Sequence, residues 1–273
     1  MQTKKPFKIP SKTFLLGEYA VLQAGDAFVL TFPNCFSFSL GESTDSFHSE
    51  SAAGKLLATN NTGIHFERPN NGLGGFGAST AEFIAACKFK NLENPWNMRT
   101  KLQELSAGTK PSGVDLVAQF FGSTEKSEIH FIAPSSEGHS LVKLDFGSHT
   151  LALIHTGQKL ATHEHLANNF SDKNFVPLKK IVSKARSLTK LRDFAHAMNE
   201  YWRAMNQLNL AAEHTNEIIS TMAKHFTLIG AKGCGAMGAD VIAIVTPKTE
   251  KTKIQTFCSS HKLQLVSFIE ALT

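Results

Sequence analysis

The stretch GLGGFGASTAEFIAACKF, residues 72–89, places four glycines within six positions immediately before a helix-like pattern. Apolar residues then recur at helical spacing from Ala81 to Ala86, which predicts a helix that begins on the glycine loop. Glycine at this density is retained where the backbone needs a positive φ angle or where a ligand approaches the main chain. The first amide groups of a helix lack intrahelical partners and carry partial positive charge. The stretch therefore predicts an anion site, with phosphate as the leading candidate. The alternative is a tight loop in which Ser79 or Thr80 only caps the helix.

Composition favours a globular protein that binds a small anionic molecule. The 273 residues are 42% hydrophobic and 19% charged, a balance without a disordered signature. The length suggests one large domain or two ordinary ones, of which we prefer two. The net charge of +5 is spread along the chain. Nucleic-acid binding, which requires clustered basic residues with aromatic neighbours, is therefore not expected.

No stretch approaches the roughly 18–20 apolar residues of a membrane span. The opening MQTKKPFKIP lacks the apolar core of a signal peptide. We therefore expect a soluble, cytoplasmic protein that does not associate with membranes.

The cysteines and histidines give no metal signature. The four cysteines form no CxxC pair and are expected to be buried, reduced thiols: Cys35, Cys87, Cys234 and Cys258. His155, His163 and His165 lack a further ligand at convincing spacing, which disfavours a metal site there.

Strand-like and helix-like patterns alternate without a regular βαβ rhythm, which predicts an α+β fold. Strands are expected at 7–16, in AFVLTFP and CFSFSL with a turn at Pro33–Asn34 between them, and in EIHFIA, LVKLDF, TLALIHTG, ADVIAIVTP and KLQLVSF. Helices are expected at 96–105, 114–121, 175–210, 213–225 and 251–259. Residues 41–63 are interpreted as a loop region. The end of LVKLDFG is the predicted boundary between domains 1–147 and 148–273.

The glycine loop formally matches the dinucleotide pattern GxGxxG, but its context does not. A dinucleotide loop follows a long buried strand of a βαβ unit, whereas HFERPNN precedes this one. The pattern GxxxxGK[ST] is also absent.

Three segments together resemble the family of galactokinase, homoserine kinase, mevalonate kinase and phosphomevalonate kinase. PSKTFLLGEYAVL (10–22) is similar to the family's PxKxxLxGEH/YAVL, and GFGASTA (75–81) is similar to its phosphate loop GLGSSAA. LIGAKGCGAMGADVIAIV (228–245) is similar to the C-terminal GAGxGG segment. LALIHTGQKLAT (151–162) resembles the TGxxAST turn of the mevalonate-type members.

This resemblance implies an N-terminal nucleotide-binding α+β domain and a C-terminal ferredoxin-like α+β domain. It also implies that the protein uses ATP and Mg²⁺, binds a small anionic substrate and is a monomer or homodimer. The nucleotide contacts that it implies are Gly75, Gly77, Ala78, Ser79, Thr80, Gly233 and Gly235. The sequence departs from the family pattern where Ala78 replaces a serine, where Lys232 replaces a glycine and where Cys234 interrupts the last glycine run.

The fragment PSGVD, residues 111–115, supplies the chemistry that the resemblance implies. In mevalonate kinases an aspartate in this setting faces the attacking hydroxyl, and a glutamate eleven residues earlier helps to hold magnesium. These positions are Asp115 and Glu104 here. Ser79 would be the other Mg²⁺ ligand, and Lys12 would stabilise the charge that develops on the acceptor. If each residue stood alone, the favoured interpretation would be a helix cap for Asp115 and a solvated side chain for Glu104.

The resemblance implies ATP-dependent phosphorylation of mevalonate or 5-phosphomevalonate. Tyr19 in GEYAVL and the basic charge favour phosphomevalonate slightly, whereas PSGVD favours mevalonate. A related diphosphomevalonate decarboxylase and a ligand-binding protein without catalysis are the alternatives.

Overall fold

Two antiparallel β-sheets with flanking helices form the chain, as seen in a computed structural model that describes residues 6–41, 45–58, 63–69, 72–106, 110–158 and 173–272. The predicted α+β class is confirmed. The strands and helices of the first half are β1 (Phe7–Leu16), β2 (Ala27–Leu40), α1 (Ala52–Leu57), β3 (Ile64–Glu67), α2 (Ala78–Phe89), α3 (Pro95–Leu105), α4 (Val114–Phe121), β4 (Glu128–Ala133) and β5 (Gly138–Val142).

The first sheet is built around the long strand β2. The strand order is β1-β2-β4-β5, and β3 pairs with the far end of β2. Helices α2 and α4 pack against each other and against β1 and β2. Their N-terminal ends both lie beside Lys12 of β1, which is how the fold gathers the candidate site.

The second half has the strand order of a ferredoxin-like domain. Its elements are β6 (His149–His155), α5 (Val176–Ala185), α6 (Leu191–Gln207), α7 (Glu213–His225), β7 (Gly230–Cys234), β8 (Val241–Pro247), α8 (Lys251–Ser260) and β9 (Gln264–Ile269). The sheet order is β7-β8-β6-β9, with all neighbours antiparallel. In chain order this is the 4-1-3-2 arrangement of a βαββαβ unit.

A continuous hydrophobic core joins the two halves. Phe28 of β2 meets Phe194 of α6 edge to face, with ring centroids 5.2 Å apart. A smaller second cluster lies where α7 and α8 cover the second sheet and includes Met222, Ile244 and Phe257. The first sheet ends at Val142 and the second begins at His149. The boundary at 147/148 falls between them and stays a prediction.

Most of the predicted elements are confirmed, and four regions differ. The turn expected at Pro33–Asn34 is wrong, because β2 continues through it with an irregular register opposite β1. Proline has no amide to donate and is tolerated in such a bulge. Helix 175–210 is two helices, α5 and α6, and LVKLDF forms a strand only at its first two residues. Within 41–63, residues 52–57 form α1, whose N-cap Ser51 accepts a hydrogen bond from Gly54 N.

No helix in the described ranges is both long and apolar enough to cross a membrane.

Candidate active site

Helix α2 begins on the glycine loop, as the sequence predicts. Gly77 is its N-cap with φ of +89°, and the first intrahelical bond runs from Ala81 N to Gly77 O at 2.9 Å. The amides of Ala78, Ser79 and Thr80 therefore precede the first helical hydrogen bond. Ser79 is exposed at this end. The arrangement presents backbone donors and partial positive charge to an anion.

Asp115, Lys12 and Thr80 meet beside this helix end. Asp115 lies in the first turn of α4, and its Oδ2 is 3.7 Å from Lys12 Nζ. The Thr80 hydroxyl donates a hydrogen bond to the same Oδ2 at 2.7 Å. The Lys12 and Asp115 side chains are only 13% and 23% exposed. A partly buried cation and carboxylate therefore lie side by side at the N-terminus of α2.

There is no room for a side chain at Gly77, because Lys12 and Gln119 occupy the space. A Cβ at Gly77 would lie 2.8 Å from Lys12 Cγ and 2.8 Å from Gln119 Oε1. Lys12 N also donates to Phe76 O at 3.0 Å, which fixes the loop against β1. Gln119 Nε2 donates to Pro10 O at 2.8 Å, while its buried Oε1 has no hydrogen-bond partner among the described residues. Gln119 was not among the site residues predicted from the sequence, although its position four residues after Asp115 puts both on one helix face.

Asp240 brings the two glycine clusters together. A Cβ at Gly75 would lie 2.8 Å from Asp240 Cβ, and a Cβ at Gly235 would lie 2.8 Å from Asp240 Oδ2. Both glycines have positive φ, +85° and +90°. Asp240 is 5% exposed. Asp240 was not among the site residues predicted from the sequence, although its place directly after the second glycine cluster is a signal that could have identified it.

The second glycine cluster also packs on Trp202 of α6. A Cβ at Gly233 would lie 2.1 Å from Gly238 O and 2.8 Å from Trp202 Cη2. The atoms that approach Gly233 closely therefore belong to the protein itself. The nucleotide contacts predicted for Gly233 and Gly235 stay predictions.

Lys232 is buried and paired with Glu18 of the GEYAVL segment. Its side chain has no exposed surface, and Nζ donates to Glu18 Oε1 and lies 3.6 Å from Cys234 Sγ. Burial disfavours the charged amine, but contact with Cys234 and Glu18 outweighs it and raises the pKa of Lys232. In the same segment, Tyr19 Oη accepts a hydrogen bond from Met237 N at 2.8 Å. The N-terminal segment therefore holds the second glycine cluster in place.

His155 ends β6 close to the glycine loop. Its ring centroid lies 5.9 Å from that of Phe76, and its Nδ1 accepts a hydrogen bond from Gly157 N at 3.0 Å. Burial lowers the pKa of His155, which favours the neutral ring. His163 and His165 lie outside the described residues. Within the described part of the chain, no group of three or more histidine, cysteine or acidic residues could hold a metal ion.

Glu104 lies near the end of α3 and away from the buried pair. Its carboxylate pairs with Lys101 Nζ at 3.0 Å, and the Glu104 side chain is 56% exposed. The structure therefore joins Lys12, Asp115 and Thr80 by direct contacts and leaves Glu104 on the helix surface. Its role as a Mg²⁺ ligand stays a prediction.

Comparison with known proteins matches the whole chain to solved kinases. Methanococcus jannaschii mevalonate kinase superposes with a TM-score of 0.69 at 14% identity, covering 98% of each chain. Streptococcus pneumoniae phosphomevalonate kinase, solved with phosphomevalonate and AMPPNP, gives 0.73 at 13% identity, covering 97% of this chain and 99% of its own. Lactococcus lactis galactokinase, solved with galactose, gives 0.71 at 11% identity, covering 99% and 94%.

This chain has the fold of the family that includes galactokinase, mevalonate kinase and phosphomevalonate kinase. The resemblance inferred from the three sequence segments is confirmed at the level of fold. No protein-family model matches the sequence, and no curated protein matches it significantly. The chain therefore shares its fold with these kinases at only 11–14% sequence identity.

Proposed function

We propose that this protein is an ATP-dependent kinase that phosphorylates mevalonate or 5-phosphomevalonate. The observation that carries the proposal is the Lys12–Asp115 pair at the N-terminus of α2. It combines an anion-binding helix end with a cation and a carboxylate able to face an acceptor. The fold shared with mevalonate and phosphomevalonate kinases supports the same activity.

Phosphoryl transfer depends mainly on positioning and on neutralising charge. The amides of Gly77 to Thr80 would bind phosphate oxygens of ATP. Lys12 would stabilise negative charge on the acceptor oxygen and on the transferred group. Asp115 would orient the acceptor hydroxyl and take its proton as the new bond forms.

The exposed Ser79 hydroxyl at this helix end fits a Mg²⁺–nucleotide, and a carboxylate from another element would have to complete the protein ligands. Mg²⁺ binds few protein oxygens and takes phosphate and water oxygens for the rest, so the exposed Ser79 hydroxyl and one carboxylate suffice. When bound, the ion neutralises charge on the phosphates. Glu104 is the carboxylate that we propose.

Separate observations favour different acceptors. The Asp115 carboxylate would repel a phosphate acceptor but suits a neutral hydroxyl, which favours mevalonate. Tyr19 in GEYAVL and the net charge of +5 favour 5-phosphomevalonate.

A coupled assay of ADP release tests the proposal directly. The protein is incubated with ATP, Mg²⁺ and either mevalonate, 5-phosphomevalonate or 5-diphosphomevalonate, and the products are identified. Phosphorylation of one of the first two supports the kinase, and release of CO₂ from the third supports the decarboxylase. Absence of turnover with all three would remove the proposal and leave a binding protein without catalysis.

Replacing Gly77 with valine tests the phosphate loop. Its side chain would collide with the Lys12 stem and Gln119 and would crowd an anion at the helix end. We expect the dissociation constant for ATP to rise about five- to 150-fold, the effect of a crowding cost of about 1–3 kcal/mol. Turnover should fall as well, because Lys12 is displaced.

The matched control is Gly147→Val. Gly147 also has a positive φ, +49°, but a Cβ there meets nothing within 4 Å. Calorimetric titration with ATP should separate the two variants. Equal ATP affinity in the Gly77→Val variant and the wild type would show that the loop is only structural.

Glu104→Gln tests the proposed Mg²⁺ ligand. Removing the charge should raise the Mg²⁺ concentration needed for half-maximal rate, because a hard cation prefers a carboxylate. Stability should change little, because the Lys101 pair is exposed. Glu50→Gln, which disrupts a similar exposed pair with Lys55, is the control. Superimposable Mg²⁺ curves for Glu104→Gln and wild type would eliminate Glu104 as a ligand.

A further inference from the structure

The Thr80 side chain reaches from the N-terminus of α2, where we propose that phosphate binds, to Asp115 of α4. Thr80 is 9% exposed and lies in the first turn of α2. Its hydroxyl donates to Asp115 Oδ2 at 2.7 Å, across 35 residues of sequence. We propose that Thr80 is a positioning residue that fixes the Asp115 carboxylate for phosphoryl transfer. This inference rests on the proposed kinase function.

Three contacts from three elements hold Asp115. Its Oδ1 accepts from Leu116 N at 3.1 Å within α4. Its Oδ2 lies between the Thr80 hydroxyl of α2 and Lys12 Nζ of β1. The ion pair is longer, at 3.7 Å, than the hydrogen bond at 2.7 Å. The Thr80 hydroxyl is therefore the shortest contact that sets the direction of Oδ2, and a hydrogen bond to a charged oxygen is among the strong ones.

This use of a threonine differs from the usual local one. Threonine in a first helical turn often caps its own helix or bonds to nearby backbone. Thr100, in the interior of α3, also bonds locally, since its hydroxyl donates to Trp96 O at 3.2 Å. Thr80 instead links α2 to α4. One residue thereby contributes a backbone amide to the proposed phosphate site and a hydroxyl to the proposed base.

Loss of the hydroxyl should affect turnover more than nucleotide binding. Without it, Asp115 keeps its place on α4, but Oδ2 loses the contact that orients it. We expect Thr80→Val to lower kcat about ten- to hundredfold, the range for one hydrogen bond to a charged group. The Kd for ATP should stay within about twofold, because the backbone amides remain. Thr80→Ser should recover most of kcat.

A double-mutant cycle with Asp115→Asn tests the coupling. The kcat and acceptor KM of wild type, Thr80→Val, Asp115→Asn and the double variant are measured, with ATP affinity determined by calorimetry. We expect Thr80→Val to add nothing further once Asp115 is Asn. Thr100→Val controls for the same substitution on a helix and should leave kcat unchanged. If Thr80→Val does not fold, Thr80→Ala compared with Thr80→Ser decides the question.

The possible results distinguish failure of the proposed kinase function from failure of the proposed role of Thr80. No turnover by the wild-type protein overturns the kinase function, and this inference with it. An active wild type with an impaired Asp115→Asn variant and normal kcat in Thr80→Val or Thr80→Ala overturns this inference alone. Additive losses in the cycle also overturn it, because they would show that Thr80 acts independently of Asp115.

Discussion

Asp115→Asn is expected to lower turnover by about 10² to 10⁴, the usual range for loss of a general base. The amide keeps the shape of the side chain and its oxygen still accepts from Thr80. It cannot take the proton of the acceptor hydroxyl, and it leaves Lys12 without its partner. ATP affinity should barely change, because the amides that we propose to bind phosphate belong to α2.

The measurement is steady-state kcat and KM for the acceptor, with ATP affinity determined separately. Equal losses in kcat and kcat/KM would indicate an interaction made mainly in the transition state. Asp193→Asn is the matched control, because Asp193 is an exposed aspartate in the first turn of another helix, α6. Near-normal turnover of Asp115→Asn would eliminate the base assignment.

The local elements of the site were predictable from the sequence. Strong apolar periodicity and turn residues identified α4 at Val114–Phe121 and the glycine-loop start of α2. These signals depend only on residues close together in the sequence, so they can be recognised without knowledge of the tertiary fold. Pro33 misled the prediction because proline usually interrupts a strand, whereas here the irregular pairing with β1 accommodates it.

The contacts between distant segments were not predictable in this way. Glu18 and Lys232 are 214 residues apart, and no local pattern pairs them. Lys232 was interpreted only as a departure from a glycine-rich motif. The link through Asp240 between Gly75 and Gly235 is likewise a product of the tertiary fold. Motif order indicated that the two glycine clusters belong to one site, but only packing identifies the residues that join them.

Lys232→Met is expected to lower the free energy of unfolding by about 3–5 kcal/mol, the usual cost of removing one partner of a buried ion pair. The variant leaves the Glu18 carboxylate, whose side chain is 7% exposed, without its cation. Glu18 Oε2 already has no hydrogen-bond partner among the described residues, so little else compensates the charge. Urea denaturation should show a lower midpoint with a similar slope.

The double variant Lys232→Met, Glu18→Gln distinguishes an unpaired charge from lost packing. It should recover much of the loss, because replacing both partners of a buried pair is often nearly neutral. Lys55→Met, which breaks the exposed pair with Glu50, should cost only about 0–1 kcal/mol. A Lys232→Met midpoint as close to wild type as that of Lys55→Met would contradict the structural role of the pair.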